Sequence, residues 1–345
     1  MSTLENMTHR KTRGTGRPTL EEVARRAGVS TITASRALRD VKTVGLDLVQ
    51  RVREAAKELG YVTNTAARAL ASARSEAVAV LVPSLSNLVF VDVLESIHTI
   101  LRPQGFEILI GNTHYACDAE EDLIRRYLAS APSGLILTGS EHTEAARNLL
   151  ATSGVPYVHM MEISHGPADH CVGFVQTGAG QIAAEHLIER GRRRNAFVAA
   201  QLDPRILQRG EGFRRALQKA GMYDAELEFL SPTPSSIGLG CEMFAQIMER
   251  HPYVDGIFFG NDDLAHGALL EALRRGVPVP RKVAMVGFND LPGSAYTVPR
   301  LTTIRTPRAE VGRRAALMLL ALIQGERVAE PIVDLGFELI VRESS

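Results

Sequence analysis

The sequence predicts a small all-α helix-turn-helix head followed by a larger α/β body built from two lobes. Short helical stretches joined by a glycine turn predict the head, where residues 1–75 also contain 14 Lys and Arg against 7 Asp and Glu. From residue 77 onward, short apolar runs alternate with amphipathic stretches. This alternation is typical of parallel sheets covered by helices, and it restarts near residues 174–195, which indicates two lobes.

The composition is that of an ordinary globular protein. The chain has 345 residues, of which 45% are hydrophobic and 23% are charged. The sequence has neither a membrane-length apolar run nor the apolar core of a signal peptide, so a cytoplasmic protein without a membrane partner is expected. Its three cysteines are scattered, and the chemically suggestive group His165, Asp169, His170 and Cys171 has no regular ligand spacing. Neither a metal nor a cofactor is therefore expected.

The N-terminal region is predicted to contain three short helices after a polar, disordered tail over residues 1–18. The first helix opens at Thr19, where Glu22 three residues later completes a capping box. Gly28 ends it, because glycine tolerates the positive φ of a helix C-terminus. The head is predicted to span residues 19–62.

The second predicted helix carries polar and basic side chains on its outward face. Two short helices joined by a glycine turn form a helix-turn-helix, whose second helix lies in the major groove of DNA. Arginine can bind a guanine edge, isoleucine can pack on a thymine methyl group, and hydroxyls at a helix N-terminus can bind phosphate. The residues predicted to contact DNA here are Thr19, Ser30, Thr31, Ile32, Thr33, Ser35 and Arg36. A purely structural helical hairpin is the alternative.

Two segments of the head resemble the lac repressor family of transcriptional regulators. These are TLEEVARRAGVSTITASRALRD (19–40) and ELGYVTNTAARALASARS (58–75). The resemblance implies a hinge helix and linker over residues 63–75 whose Asn64, Ala67 and Leu70 contact DNA. Leu70 would be the wedge that enters the minor groove at the operator centre, where such a side chain bends the duplex.

The resemblance continues to the last residue, through segments such as RGEGFRRAL (209–217), GIFFGNDDLAHGAL (256–269) and VGFNDLPGS (286–294). It implies an effector-binding and dimerisation body over residues 76–345 that is folded like a periplasmic sugar-binding protein. The expected first lobe comprises about 76–173 and 305–326, and the second about 174–304 and 327–345. In open α/β lobes of this kind a ligand lies beyond the carboxyl ends of the strands.

The family's ligand-binding positions carry over to Arg209, Asn261 and Asn289, together with Ser84 and Phe90 on the opposite lobe. Glu162 and Ser235 are further candidates. Sugar and purine repressors usually have Asp where this chain has Asn289, and losing that negative charge while keeping Arg209 favours an anionic ligand. The sequence is most similar to the gluconate-type repressors, so gluconate or a related sugar acid is the expected effector. Alternatively, these polar residues only cap loops and bind the lobes together.

We therefore expect a homodimeric, ligand-responsive repressor that binds double-stranded palindromic operator DNA and is not an enzyme. A periplasmic-type sugar-binding protein would share the lobes, but it would have no use for residues 19–71. A Rossmann-type enzyme would share the sheets, but the Gly-Leu-Gly at 238–240 does not follow a predicted strand, and no nucleophile elbow is present in the sequence.

Overall fold

The computed structural model describes residues 18–38, 44–62, 75–163 and 170–345. The chain divides into two compact units, Met1–Ala73, here called the head, and Arg74–Ser345, the body. Except for Pro18 and Ser75, the expected tail and hinge lie outside the described residues, as do the three hinge residues Asn64, Ala67 and Leu70.

The head contains three helices, α1 (Leu20–Ala27), α2 (Thr31–Leu38) and α3 (Leu46–Leu59). Helix α1 begins with the predicted capping box, in which the Glu22 backbone N–H donates to Thr19 Oγ1 and the Thr19 N–H donates to Glu22. It ends at Gly28, whose φ of 66° is left-handed. A side chain would be strained in that conformation, so glycine allows the chain to turn sharply into α2.

Small side chains let the three head helices pack closely. Arg51 on α3 donates through Nη2 to the carbonyl of Ala27 at 2.5 Å. This hydrogen bond pairs a carbonyl in the last turn of α1, where the helix itself supplies no donor. Arg26 and Glu58 form an exposed ion pair between α1 and α3 at 2.7 Å. The buried apolar core consists of Val23, Ala24, Ala27, Ala34, Ala37, Val49, Val52, Ala55 and Ala56. The helix-turn-helix prediction is confirmed.

The first lobe of the body is built on a sheet in the order β11-β5-β4-β3-β1-β2. Its strands are β1 (Ala77–Val82), β2 (Glu107–Asn112), β3 (Gly134–Thr138), β4 (Tyr157–Met160), β5 (Cys171–Gly173) and β11 (Ile332–Asp334). All neighbouring strands are parallel. Its helices are α4 (Val89–Leu101), α5 (Cys117–Leu128), α6 (Glu144–Ser153) and α11 (Arg308–Gln324).

The second lobe is built on a sheet in the order β12-β10-β9-β8-β6-β7. Its strands are β6 (Asn195–Ala200), β7 (Glu228–Ser231), β8 (Gly256–Phe259), β9 (Ala284–Asn289), β10 (Thr302–Arg305) and β12 (Glu338–Ile340). Only β10 and β12 pair antiparallel among the described strands. The helices are α7 (Gln176–Glu189), α8 (Pro204–Lys219), α9 (Ile237–Arg250) and α10 (Asp262–Arg275). The predicted α/β body of two parallel-sheet lobes is confirmed.

One predicted lobe boundary is wrong. The predicted second lobe includes all of 327–345, whereas Ile332–Asp334 pairs with Cys171–Gly173 in the first sheet. The chain therefore stays in the first lobe through β11, and its last crossing to the second lobe falls between β11 and β12. A three-residue edge strand carries too little hydrophobic pattern to be assigned from sequence, because its partner across the sheet decides its place.

Helices α7 and α8 lie so close together that two positions between them require glycine. A Cβ on Gly180 would lie 1.8 Å from the Arg209 carbonyl oxygen, and a Cβ on Gly212 would lie 1.8 Å from the Thr177 carbonyl oxygen. Any side chain would force the helices apart. This contact fixes the position of α8, the helix that carries Arg209.

Candidate ligand-binding cleft and DNA-binding surface

A cavity of about 170 Å³ lies between the two lobes of the body. Loops that follow the carboxyl ends of strands form much of its wall, since Ser84 follows β1, Asn261 follows β8 and Asn289 ends β9. Parallel strands bring these ends to one edge of each sheet. The cavity wall includes six predicted residues, namely Ser84, Phe90, Arg209, Ser235, Asn261 and Asn289.

Arg209 is buried on α8 and has no carboxylate partner among the described residues. Its Nε donates to the Arg205 carbonyl at 3.1 Å, and its Nη1 donates to the Gly260 carbonyl. The guanidinium lies 3.9 Å from the centre of the Phe288 ring, a cation–π contact. Burial, together with the nearby charge of Arg205, lowers the pKa of Arg209 to about 10. The group thus stays charged at neutral pH, although no anionic side chain in the described ranges is in direct contact with it.

Asn261 and Ser235 form a polar pair on the second lobe. Asn261 caps α10 by accepting the Leu264 N–H at 3.1 Å, and its Nδ2 donates to Ser235 Oγ at 2.8 Å. On the first lobe, Ser84 Oγ accepts backbone N–H groups of its own loop at 3.1–3.2 Å, and Phe90 is buried on α4. These residues reach the cavity, and they also stabilise the loops that carry them.

Asn289 lies at a strained bend at the end of β9. Its φ of 111° is in a region that side-chain-bearing residues seldom adopt. Arg308 donates through Nη1 to the Asn289 carbonyl and through Nε to Asp92 of α4 at 2.9 Å. Because Asp92 belongs to the first lobe and Asn289 to the second, Arg308 links the two lobes beside the cavity.

A buried carboxylate holds the loop that follows Asn289. Asp262 is fully buried at the start of α10. Its Oδ2 accepts the Leu291 N–H and the Ser294 hydroxyl, and its Oδ1 accepts the Thr303 hydroxyl, each at 2.7 Å. Three donors compensate for the cost of burying this charge, so the loop and the cavity wall are fixed relative to α10.

The structure places Glu162 away from the main cavity. Its carboxylate is buried after β4, where Oε1 accepts the Ser140 N–H at 3.0 Å and the Ser140 hydroxyl. It lines a smaller neighbouring cavity of about 60 Å³. Six of the seven predicted effector residues line the main cavity, and Glu162 is the one that does not.

Several polar residues of the main cavity were missed from the sequence. They are Asn87, Tyr115, Gln176, Gln201, Asp203, Arg205 and Asp263. Gln176 is one of them, and its Nε2 donates to the Met161 carbonyl at 2.9 Å. One of these residues, Asp203, could have been located from the sequence. The Asp-Pro pair is a typical helix start, and Asp203 is the N-cap of α8.

Asp203 and Arg205 form a buried ion pair on the wall shared by both cavities. Arg205 Nε lies 3.0 Å from Asp203 Oδ1, which also accepts the Arg205 N–H. Burial lowers the pKa of Arg205, but Asp203 and Glu162 outweigh burial and hold it above the usual value. Desolvation raises the pKa of Asp263 on the cavity wall above its ordinary value.

In the head, α2 presents most of its predicted DNA-binding side chains to solvent. Thr31 and Arg36 are exposed, and Ile32 is 64% exposed although it is apolar. Ser30 Oγ accepts the Thr33 N–H at 3.1 Å and lies 2.8 Å from Thr33 Oγ1, so these two hydroxyls also cap α2. Ser35 is half-buried on the same helix, and Thr19 is exposed at the start of α1.

Within the described ranges, no helix is long and apolar enough to cross a membrane. The same residues contain no group of three or more His, Cys, Asp or Glu side chains that could hold a metal ion. Of the sequence cluster noted above, His165 and Asp169 lie outside the described residues.

Two family models match the chain. Residues 19–64 match the bacterial regulatory proteins of the lacI family, and residues 184–345 match the periplasmic binding protein-like domain. The HTH-type transcriptional regulator GntR of Pseudomonas aeruginosa is 64% identical over 97% of this chain and 98% of its own length. GntR of Escherichia coli K12 is 36% identical over 94% of this chain and 97% of its own.

Solved structures agree with these relationships. A LacI-family regulator from Silicibacter pomeroyi superposes with a TM-score of 0.89 at 36% identity, covering 95% of this chain and 99% of that one. The lac repressor dimer bound to operator shares the fold, with a TM-score of 0.82 at 24% identity and coverage of 95% and 99%. The helix-turn-helix head, the two-lobed body and these relatives together show that the chain belongs to the lacI family and is a DNA-binding transcriptional regulator, not an enzyme.

Proposed function

We propose that this regulator is a homodimeric repressor that binds a palindromic operator and is released when a gluconate-like sugar acid binds between its lobes. The observation that carries the proposal is the buried, positively charged Arg209 on the wall of a polar cavity, where no carboxylate of the described part of the chain contacts it. The names of the GntR relatives point in the same direction. A regulator of this kind acts on DNA in the cytoplasm.

The cavity's chemistry suits a polyhydroxy acid. Uncompensated buried charge is costly, and an incoming carboxylate would lower that cost at Arg209. Amide and hydroxyl groups, such as those of Asn261, Asn289 and Ser235, can each donate and accept hydrogen bonds, which suits ligand hydroxyls. The proposed effector site comprises Ser84, Phe90, Arg209, Ser235, Asn261 and Asn289.

On the DNA side, we assign base contacts to the exposed face of α2. Arg36 would bind a guanine edge and Ile32 would pack on a thymine methyl group. Phosphate contacts would come from Thr19, Ser30 and Thr33. The family resemblance adds Asn64, Ala67 and Leu70 of the hinge, with Thr31 and Ser35 completing the α2 surface.

Dimerisation is proposed through the body, where large apolar side chains are exposed on both lobes. Leu270 and Leu273 on α10 are 51% and 67% exposed, and Tyr296, also in the second lobe, is 84% exposed. On the first lobe, Leu88 and Val91 at the start of α4 are exposed as well. Large exposed apolar side chains are candidates for a protein interface, and two-fold symmetry would match a palindromic operator.

The release mechanism follows from linkage between the two sites. An effector shifts the protein toward the lobe arrangement that it binds better. Arg308 is positioned to transmit that shift, since it holds both the Asn289 carbonyl beside the cavity and Asp92 on α4. If the effector weakens operator binding by some factor, the operator must weaken effector binding by the same factor.

The test uses fluorescence anisotropy with a labelled palindromic operator and a random duplex of equal length. We expect strong preference for the palindrome, a steep loss of binding as salt rises, and release on adding gluconate. Glucose at the same concentration is the control for a neutral sugar. Tighter operator binding with gluconate would reverse the sign of regulation, and no response would remove gluconate as effector.

A further inference from the structure

We infer that His266 makes the association of two copies of this chain sensitive to pH, because it lies on the face of α10 that we propose for the dimer. This inference rests on the proposed function, since it takes a second copy as the partner of that face. Leu270 and Leu273 follow His266 at helical spacing, so the three side chains share one side of α10. Both leucines are exposed, and His266 is half-buried.

The loop that follows β9 lies against the His266 ring. A Cβ placed on Gly293 would lie 3.2 Å from His266 Cε1, so the backbone of this loop passes directly beside the ring. Further along the loop, Tyr296 is 84% exposed and Val298 is 76% exposed. His266 thus adjoins two exposed apolar segments of the second lobe. The α10 face is defined here as His266, Leu270, Leu273, Tyr296 and Val298.

The hydrogen bonds around His266 determine which ring nitrogen carries the proton. Ser294 Oγ donates to Asp262 Oδ2 at 2.7 Å, because an ionised carboxylate only accepts. The same hydroxyl lies 2.9 Å from His266 Nε2, and its single proton is already used. His266 Nε2 is therefore the donor, and in the neutral ring Nδ1 carries no proton.

A second proton can be added to His266 without breaking this arrangement. Among the described residues, none forms a hydrogen bond with Nδ1, and this atom is not one of those sealed from solvent. Protonation at Nδ1 leaves the bond from Nε2 to Ser294 intact. It therefore adds a positive charge to the α10 face while the loop stays held to Asp262.

Asp263 is close enough to His266 for each charge to affect the other. Glu271 and Arg275, further along α10, pair with each other at 2.7 Å, and Asp290 on the loop pairs with Arg305 at 2.8 Å. The remaining ionisable side chains of α9, α10 and the loop are Cys241, Glu242, Glu249, Arg250, Asp262, Arg274, Tyr296 and Arg300. The attraction of Asp263 for a protonated His266 exists in the separate chain and in the dimer alike, so it favours neither.

A two-fold dimer through this face would contain two copies of His266, one from each chain. A neutral ring, with its Nε2 bond already made, can be covered by apolar side chains at little cost. A protonated ring brings a charge and a new donor into an apolar contact, where both lose water. The two charges also repel each other. The dimer therefore binds fewer protons than two separate chains, and association weakens as pH falls.

The experiment measures the dimer dissociation constant of the full chain by sedimentation equilibrium at about pH 8 and about pH 5.5, the range in which histidine gains its proton. We expect the constant to rise by about tenfold or more at the lower pH, because each excluded proton contributes up to tenfold per pH unit. His266→Gln places an amide N–H near Nε2 and cannot be protonated in this range. It should form the dimer equally well at both pH values.

His251→Gln is the matched control, because His251 lies at the end of α9 in the same lobe and its Nδ1 bonds Tyr253. This variant should keep the full pH dependence. Asp263→Asn should keep it as well, which separates His266 from its acidic neighbour. His266→Leu is a second variant at the site itself, and its apolar side chain should also give a dimer that does not respond to pH.

Dilution calorimetry in two buffers with different ionisation enthalpies counts the protons directly. Near pH 6, dissociation of the unsubstituted dimer should take up protons, to a limit of about two per dimer, and dissociation of His266→Gln should take up fewer. The dissociation constant and the proton count are independent readouts of the same linkage.

A dissociation constant that is the same at both pH values would overturn the inference while leaving the homodimer intact. PH dependence that survives in both His266 variants would do the same. If neither variant forms a dimer at about pH 8, the ring is a contact needed at every pH, and the inference is again wrong. A chain that stays monomeric throughout would instead overturn the homodimer of the proposed function, and the inference with it.

Discussion

Replacing Arg209 with glutamine tests the ligand site most directly. Arg209 donates to the Arg205 and Gly260 carbonyls and lies against the Phe288 ring, and burial lowers its pKa from the usual value to about 10. At 1.36 kcal/mol per pKa unit, burial without an anion costs about 3 kcal/mol. A bound carboxylate would recover much of this energy, because charge-assisted hydrogen bonds contribute roughly 1.5–3 kcal/mol.

We therefore expect Arg209→Gln to raise the dissociation constant for gluconate by about 30- to 150-fold, which corresponds to about 2–3 kcal/mol. Calorimetry measures the constant, and operator release in an anisotropy assay should need proportionally more gluconate. Operator binding without gluconate should be preserved. Arg215→Gln is the matched control on the same helix, because Arg215 is 69% exposed and pairs with Glu211 at the surface; its effect should be below about twofold.

Gluconamide distinguishes charge recognition from general disruption of the cleft. It has the shape of gluconate without the negative charge, so the unsubstituted protein should bind it far more weakly than gluconate. Arg209→Gln should reduce that difference. If the variant binds gluconate within about threefold of the unsubstituted protein, or if both ligands weaken equally, Arg209 does not recognise the carboxylate and the charge argument is wrong.

Three further predictions concern other parts of the molecule. Arg36→Ala should cost about 1–3 kcal/mol of operator binding and relax specificity at one base position, as measured on a set of single-base operator variants; equal loss on random duplex would make Arg36 a phosphate contact. Asp262→Asn should lower the unfolding free energy of the body by about 2–4 kcal/mol, seen as a lower urea midpoint, because an amide cannot accept from all three donors; the exposed Asp122→Asn should leave the midpoint unchanged. Gluconate affinity should rise as pH falls toward the raised pKa of Asp263, since protonation removes a negative charge near the bound anion; a pH series that Asp263→Asn does not flatten would assign the effect to another group.

Local sequence patterns are enough to predict the kind of elements and their order along the chain. Gly28 between two helical stretches predicts the helix-turn-helix, because a left-handed residue must follow α1, and its φ is 66°. Buried parallel strands such as Ala77–Val82 and Ala284–Asn289 read as continuous apolar runs, since both faces are covered. The family resemblance supplied Asn261 and Asn289 as candidate ligand-binding positions, and both lie on the cavity wall at the carboxyl ends of strands.

Which residues share a cavity and which strands share a sheet depends on contacts between segments that are far apart in the chain. Ile332–Asp334 lies in the first sheet because Cys171–Gly173 is its partner there, and no local pattern encodes that pairing. Glu162 belongs to the smaller cavity because Ser140 holds its carboxylate beside Arg205. Arg205 itself gave no local signal, since an arginine in the first turn of a helix is ordinarily solvated. The physical reason is that burial and the pairing of polar groups arise between segments distant in sequence, whereas helix caps, turns and apolar periodicity arise within one segment.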